Sequence, residues 1–247
     1  IYKRIPVFIN EQENKNPWGG YYMRLIDLGD HSEYIRFPWE VKDEWDVPLY
    51  ESKLFWSYDH RFATFDGLTN DEISKGKPRI ILAKEKKNPQ KYIFPRYFVE
   101  NSIVEALYEK YPDYKNEYFL VWRDITNATN ERTCVATIIP KFVATRSSPA
   151  LGVQELNFVF LLLANLNSIV FDYVARQKVG GVHFNWTLLE QLPIIPPKSY
   201  TYDDNKFVMD RVLELVYTAF DLRSFADHLG YKGTAFRWNE ERRTVLR

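Results

Sequence analysis

The chain has 247 residues, enough to bury a sizeable core as one large or two small domains. Its 33 basic and 33 acidic residues cancel and its hydrophobic content is 45%, the composition of an ordinary soluble protein. One cysteine, Cys134, excludes an internal disulfide and fits a reducing cytoplasm, and four scattered histidines beside it give no zinc spacing. The longest apolar run, Phe158 to Ala164, falls far short of the ~20 residues a membrane-spanning helix needs.

In chain order, the pattern shifts from strand-like to helical. Tyr21 to Leu28, Leu49 to Tyr58, Arg79 to Ala83, Tyr118 to Trp122 and Thr133 to Ile139 are short, rich in β-branched or aromatic residues, and bounded by turn residues. In the second, Tyr50, Leu54, Trp56 and Tyr58 alternate with Glu51, Lys53 and Ser57, so one face packs and the other turns polar groups outward. Ser102 and Glu105 are spaced as a capping box for a helix reaching Lys110. Gln154 to Lys178 predicts one long helix, apolar nearly all round through Leu161, Leu162, Leu163 and Leu166, and therefore central. Pro193, Pro196 and Pro197 resist both helix and central strand and mark a boundary. After it, Asp203 to Ala219 carries Val208, Val212, Leu215 and Val216 at helical spacing, and a last short helix ends near Gly230 and Gly233. The expected fold is mixed α/β. A twisted sheet with a long central helix forms a domain over residues 1–197, and a helical tail occupies 198–247.

Charge is unevenly placed along this neutral chain. Lys75 to Tyr97 holds eight basic residues and one acid, Glu85, whereas Asp27 to Glu51 holds eight acids against Arg36 and Lys42. Such asymmetry puts a basic face on a neutral protein, and phosphate contacts need only the local field. The stretch Phe171 to Asn185 reads as the end of a buried helix, a basic turn, the pair Gly180-Gly181, and a short segment beyond. Glycines there permit backbone angles or close approaches that a side chain forbids. Arg176, Gln177, Lys178 and His183 flank them with donors suited to phosphate oxygens or base edges. On this reading Gly181→Val damages folding, because a β-branched residue tolerates positive φ poorly.

Five blocks carry a family resemblance. They are Pro48-Leu-Tyr-Glu-Ser-Lys-Leu-Phe-Trp-Ser-Tyr-Asp-His-Arg-Phe-Ala63, Trp122-Arg-Asp-Ile-Thr-Asn-Ala-Thr-Asn-Glu-Arg-Thr133, and Phe171 to Asn185 with Leu188-Leu-Glu-Gln-Leu-Pro193. Asp221-Leu-Arg-Ser-Phe-Ala-Asp-His-Leu-Gly230 and Phe236-Arg-Trp-Asn-Glu-Glu-Arg-Arg243 complete the set. In this order they resemble the target-recognition domain in the C-terminal part of type IIG and BREX PglX-like DNA adenine methyltransferases of restriction-modification and phage defence. A looser likeness runs to one recognition half of a type I specificity subunit. The family's S-adenosylmethionine site and Asn-Pro-Pro-aromatic motif lie upstream of these blocks, and neither occurs here, since Asn16-Pro17-Trp18 has a single proline. The chain starts at Ile1 without methionine and stops at Arg247, as expected of a segment of a longer enzyme.

The resemblance implies a module without catalytic residues or cofactor of its own. It would hold double-stranded DNA against the methyltransferase domain of the same parent chain, which binds S-adenosylmethionine and takes up a flipped adenine. The parent would be a site-specific adenine methyltransferase, with or without a fused endonuclease. Lys53, His60, Arg61, Arg123, Arg132, Arg176 and Lys178 recur in blocks shared by enzymes with different sites, so the resemblance gives them fold support or phosphate contacts. His183 joins them beside the glycine pair. Specificity is expected from Asp66 to Tyr97 and Lys141 to Pro149, through Lys84, Lys86, Lys87, Lys91, Lys141 and Arg146. Two alternatives stand beside this. One is a protein-interaction module of a defence complex, built around the apolar helix. The other is a metal-dependent nuclease, in which Glu51 and Asp27 or Asp30 hold the ion and Lys53 orients water.

Overall fold

The computed structural model describes residues 1–41 and 46–247. The expected mixed α/β class is what it shows. Within the acidic segment, Lys42, Asp43 and Glu44 lie outside the described residues.

In chain order the strands and helices are β1 (Tyr21–Met23), β2 (Ile35–Arg36), β3 (Val47–Tyr50), β4 (Ala63–Thr64), α1 (Asn70–Ser74), β5 (Arg79–Ile80) and α2 (Ala83–Lys86). They continue with β6 (Phe98–Val99), α3 (Asn101–Tyr108), β7 (Tyr118–Trp122), β8 (Ala136–Pro140), β9 (Val143–Ala144) and β10 (Ala150–Gly152). The helical part is α4 (Val159–Asn167), α5 (Ile169–Lys178), α6 (Trp186–Glu190), α7 (Tyr202–Val216), α8 (Arg223–His228) and α9 (Glu240–Leu246). One antiparallel sheet runs β1-β10-β7-β8. A second runs β2-β6-β3-β9, antiparallel except for the parallel pair β3–β9. β4 and β5 form a separate pair.

Strand β7 explains the layering. Tyr118, Leu120 and Trp122 face one core cluster with Leu161, Leu162, Leu163 and Leu166 of α4. Phe119 and Val121 face the other, with Leu49, Tyr50, Val99, Val104 and Leu107. A strand covered on both sides tolerates no polar alternation, hence the unbroken apolar run Tyr-Phe-Leu-Val-Trp. It pairs with β8 over its whole length, from Tyr118 opposite Pro140 to Trp122 opposite Ala136.

The expected long helix is two helices. Ser168 takes an extended conformation (φ −69°, ψ 147°), ending α4, while its hydroxyl accepts from Phe171 N–H at 3.1 Å and caps α5. The bend between the two helical segments is 63°. The break lets Asn167 turn its amide onto the edge of β8, where Ala136 N–H donates to Oδ1 (3.1 Å) and Nδ2 donates to Ala136 C=O (2.9 Å). Among the described residues, no single helix is long and apolar enough to cross a membrane.

Further expectations shift. The Ser102 capping box does not form: α3 begins at Asn101 after Glu100 without a side-chain cap, and Glu105 instead accepts from Asn101 Nδ2 at 2.8 Å. α7 starts one residue before Asp203, where Thr201 and Asp204 make a reciprocal cap, Asp204 N–H to Thr201 Oγ1 at 3.1 Å and Thr201 N–H to Asp204 Oδ2 at 3.0 Å. The prolines at 193–197 do not separate two cores. Val212, Leu213, Val216, Leu222 and Phe225 share the cluster of Trp122 and α4, so the helical tail closes that core. Helix α9 is an addition to the elements expected from the sequence.

Candidate nucleic-acid interface

The structure first shows what most of the expected DNA-facing cations do instead. Arg61 is fully buried. Its guanidinium donates to the carbonyls of Asn88 (3.0 Å), Lys91 (2.8 Å), Lys86 (3.1 Å) and Thr218 (2.8 Å). His60, equally buried, lies 2.9 Å from Asp221. Lys86, expected at the duplex, is inside the fold: its ammonium sits 2.5 Å from Asp59 and 4.3 Å from the Trp238 ring centre. Burial alone pushes the Asp59 carboxyl up, but Lys86 and Arg243 beside it prevail and hold it below the usual carboxylate range. Arg243 donates to the carbonyls of Leu215 (2.6 Å) and Tyr58 (3.2 Å) and lies over Trp238. One buried charge network therefore joins the first, fourth and fifth blocks.

A second network joins the remaining blocks. Asp172 of α5 accepts from the N–H groups of Thr133 and Cys134, both at 2.8 Å. It also pairs with Arg176 (2.9 Å) and Arg132 (3.3 Å). Arg176 reaches back to the carbonyls of Ala128 (2.9 Å) and Glu131 (2.5 Å), and Arg132 to that of Asn167 (2.6 Å). Arg123 binds the Phe55 carbonyl with its guanidinium 4.6 Å from the Trp56 ring centre, and burial pushes it down to about 10. Lys53 pairs with Glu51 (2.9 Å) and donates to the Gly76 carbonyl (2.8 Å). Glu51 is thus turned inward onto its own lysine, and no group of three or more His, Cys, Asp or Glu that could hold a metal occurs among the described residues.

The basic segment is largely neutralised by acids from the same region. Lys75 pairs with Asp71, Arg79 with Glu85 and Asp66, and Lys91 with Asp66. Lys141 pairs with Glu117. Lys77, Lys84 and Lys87 remain exposed and without a carboxylate partner among the described residues. Lys178 is exposed beside the Tyr2 ring. Arg146 is exposed, with a loose 3.3 Å contact to Asp27.

His183 and Arg146 meet at a cleft of about 300 Å³ lined also by Tyr22, Asp124, Pro149, Asn185, Trp186 and Thr187. His183 Nδ1 lies 2.7 Å from Asp124 Oδ2, which fixes the ring and leaves Nε2 turned away from the carboxylate. Asp124 is buried, His183 is exposed, and Asp124 Oδ1 has no hydrogen-bond partner among the described residues. The cleft is built by an antiparallel bridge between Ile125 and His183, with Thr126 N–H bonded to Val182 C=O (3.1 Å) and Phe184 N–H to Asp124 C=O (2.6 Å). Asn185 caps α6 by accepting from Leu188 N–H (3.1 Å), which holds Trp186 and Thr187 at the rim. The sequence singles out His183 and Arg146 but not Asp124, whose place beside Arg123 in the second block is the available signal.

The expected role of Gly181 is overturned. Neither Gly180 nor Gly181 has a positive φ, and a Cβ built on either meets nothing within 4 Å. Gly181→Val should therefore leave the fold intact.

No family model matches this chain, and no curated protein matches it.

Proposed function

We propose that the chain is a DNA target-recognition domain of a restriction-modification or phage-defence adenine methyltransferase, and that it positions duplex DNA for a catalytic domain elsewhere in the parent. One observation carries this reading. The five blocks that resemble the family lock together through inward-facing charges, while Lys84, Lys87 and Arg146, which lie outside those blocks, stay exposed, as do Lys178 and His183 at the surface of the third block. A shared frame with a variable set of outward donors is what one fold reading different sites requires. Enrichment of bound duplexes from a random pool tests the reading. It predicts one recovered motif, and recovery of unbiased sequence counts against it.

Lys84→Ala with Lys87→Ala should weaken binding to every duplex alike. The pair should lower the log–log salt slope by about 0.9 for each phosphate no longer neutralised, without changing the melting temperature. Lys86→Ala, by contrast, strands Asp59 in the interior and should act on stability. Anisotropy titrations at several salt concentrations, with a thermal melt, separate the two. S-adenosylmethionine should bind only where the parent's methyltransferase domain is present, so calorimetric titration of this chain alone should give no stoichiometric complex.

A second reading, docking of a protein subunit, has one observation in its favour. Ile169, Val170 and Tyr173 stand 80%, 58% and 62% exposed on α5. Salt-insensitive capture of a subunit with no duplex binding would select it.

A further inference from the structure

Asp124 fastens two stretches of chain that lie far apart in the sequence. Its N–H donates to Ser147 C=O at 3.0 Å, and its C=O accepts from Phe184 N–H at 2.6 Å. The first bond holds the turn that carries Arg146. That turn is also pinned by Arg146 N–H to Ile26 C=O (2.8 Å) and by the buried Ser148 hydroxyl to Tyr50 C=O (2.8 Å). The second bond holds the segment that carries His183, whose ring the Asp124 carboxylate orients. Arg146 and His183 therefore open onto one cleft of about 300 Å³ from backbone that is fixed on both sides.

The charges in this cleft favour an anion. Among the described residues, His183 alone is bonded to the buried Asp124 carboxylate. With the ring protonated that pair is neutral, and Arg146 is left as the net charge, since the Asp27 carboxylate it loosely touches is shared with Arg24. Tyr22 faces the cleft from β1, its hydroxyl pushed up by burial, and α6 with its cap brings only the uncharged Asn185, Trp186 and Thr187. One carboxylate already bonded to a histidine makes no cation site. The Trp186 ring packs on Tyr22, Phe8 and Trp122, so a nucleobase finds no slot between free ring faces.

We infer that this cleft seats one phosphate group, held jointly by the Arg146 guanidinium and by Nε2–H of a protonated His183. Both donors make charge-assisted hydrogen bonds to anionic oxygens, and two of them from separate parts of the chain fix the phosphate's position as well as its charge. Under the duplex-binding reading, on which this inference rests, the group is a phosphodiester of the DNA backbone, and its grip tightens as the pH falls.

The test compares the parent with His183→Gln, Arg146→Ala and the double variant for affinity to a fluorescent duplex, over a salt series at about pH 5.5 and about pH 7.5, the range in which histidine changes charge. The parent should bind about tenfold tighter at the lower pH, the change expected for one hydrogen bond to a charged oxygen. His183→Gln, which keeps a donor but takes up no proton, should lose that gain. The double variant should lower the log–log salt slope by about 0.9, the value for one phosphate, not by twice that. A parent whose affinity ignores pH, a gain that persists in His183→Gln, or a doubled loss of slope overturns the seat alone. Inorganic phosphate, set against chloride at equal ionic strength, separates the sources of the group. If the parent binds no duplex but phosphate shifts the His183 ring resonances, the seat stands and the duplex reading falls. Resonances that ignore phosphate in such a parent overturn both.

Discussion

Arg61→Ala is expected to destabilise the chain by about 3–5 kcal/mol, a large share of a domain's total stability. The side chain is the fixed point on which four carbonyls converge, from Lys86, Asn88, Lys91 and Thr218. Truncation leaves those carbonyls buried without donors, each costing about 1–3 kcal/mol, and opens a cavity where a large side chain stood. Even partial relaxation leaves a deficit of about 3–5 kcal/mol, against a total margin of about 5–15 kcal/mol for a domain. Arg61→Lys should recover little, because one ammonium cannot span carbonyls arranged around a planar fork. Urea titration followed by tryptophan fluorescence measures the deficit. An Arg61→Ala protein with the parent's midpoint would show that these carbonyls do not depend on the guanidinium.

Asp172→Ala should cost about 3 kcal/mol and act on a defined region. Its carboxylate satisfies two main-chain N–H groups, of Thr133 and Cys134, and two guanidiniums, of Arg132 and Arg176. Without it, two partly buried cationic groups lose their counter-charge, and the loop from Asn127 to Arg132 keeps only the direct contacts of Arg176 to the Ala128 and Glu131 carbonyls as its tie to α5. Amide exchange at Thr133 and Cys134 should quicken well beyond the change in global stability, while exchange in β7 should follow the global value. Asp172→Asn should be milder, since an amide oxygen can still accept from the two N–H groups. Uniform exchange across the chain would show that the carboxylate does not fasten that loop.

Sequence patterns reveal some of these elements and hide others for physical reasons. Tyr118–Trp122 is legible as a strand because burial on both faces forces a short unbroken apolar run. The helix over 154–178 reads as continuous because apolar composition carries on through Ser168, and a single extended residue leaves no periodic trace. The start of α7 lies within a residue of its expected place, and its final turn stops at Val216 rather than Ala219. The buried cations are the harder case. A lysine in a basic stretch reads as surface, yet Lys86 meets Asp59, 27 residues away, and Arg61 meets Thr218, 157 residues away. Such partners are invisible to local pattern. The glycine pair misleads in the opposite direction: sequence can say that glycine permits an unusual backbone, but only coordinates show that this backbone is ordinary.

If the outward donors grip duplex DNA, the salt dependence of the chain's affinity for a duplex must reveal it. Between about 50 and 200 mM salt, affinity should fall along a straight log–log line, and the slope should shrink in the variant carrying Lys84→Ala, Lys87→Ala and Lys178→Ala. Duplex affinity that ignores salt, or a slope that this triple variant leaves unchanged, would contradict a DNA-facing role for these residues.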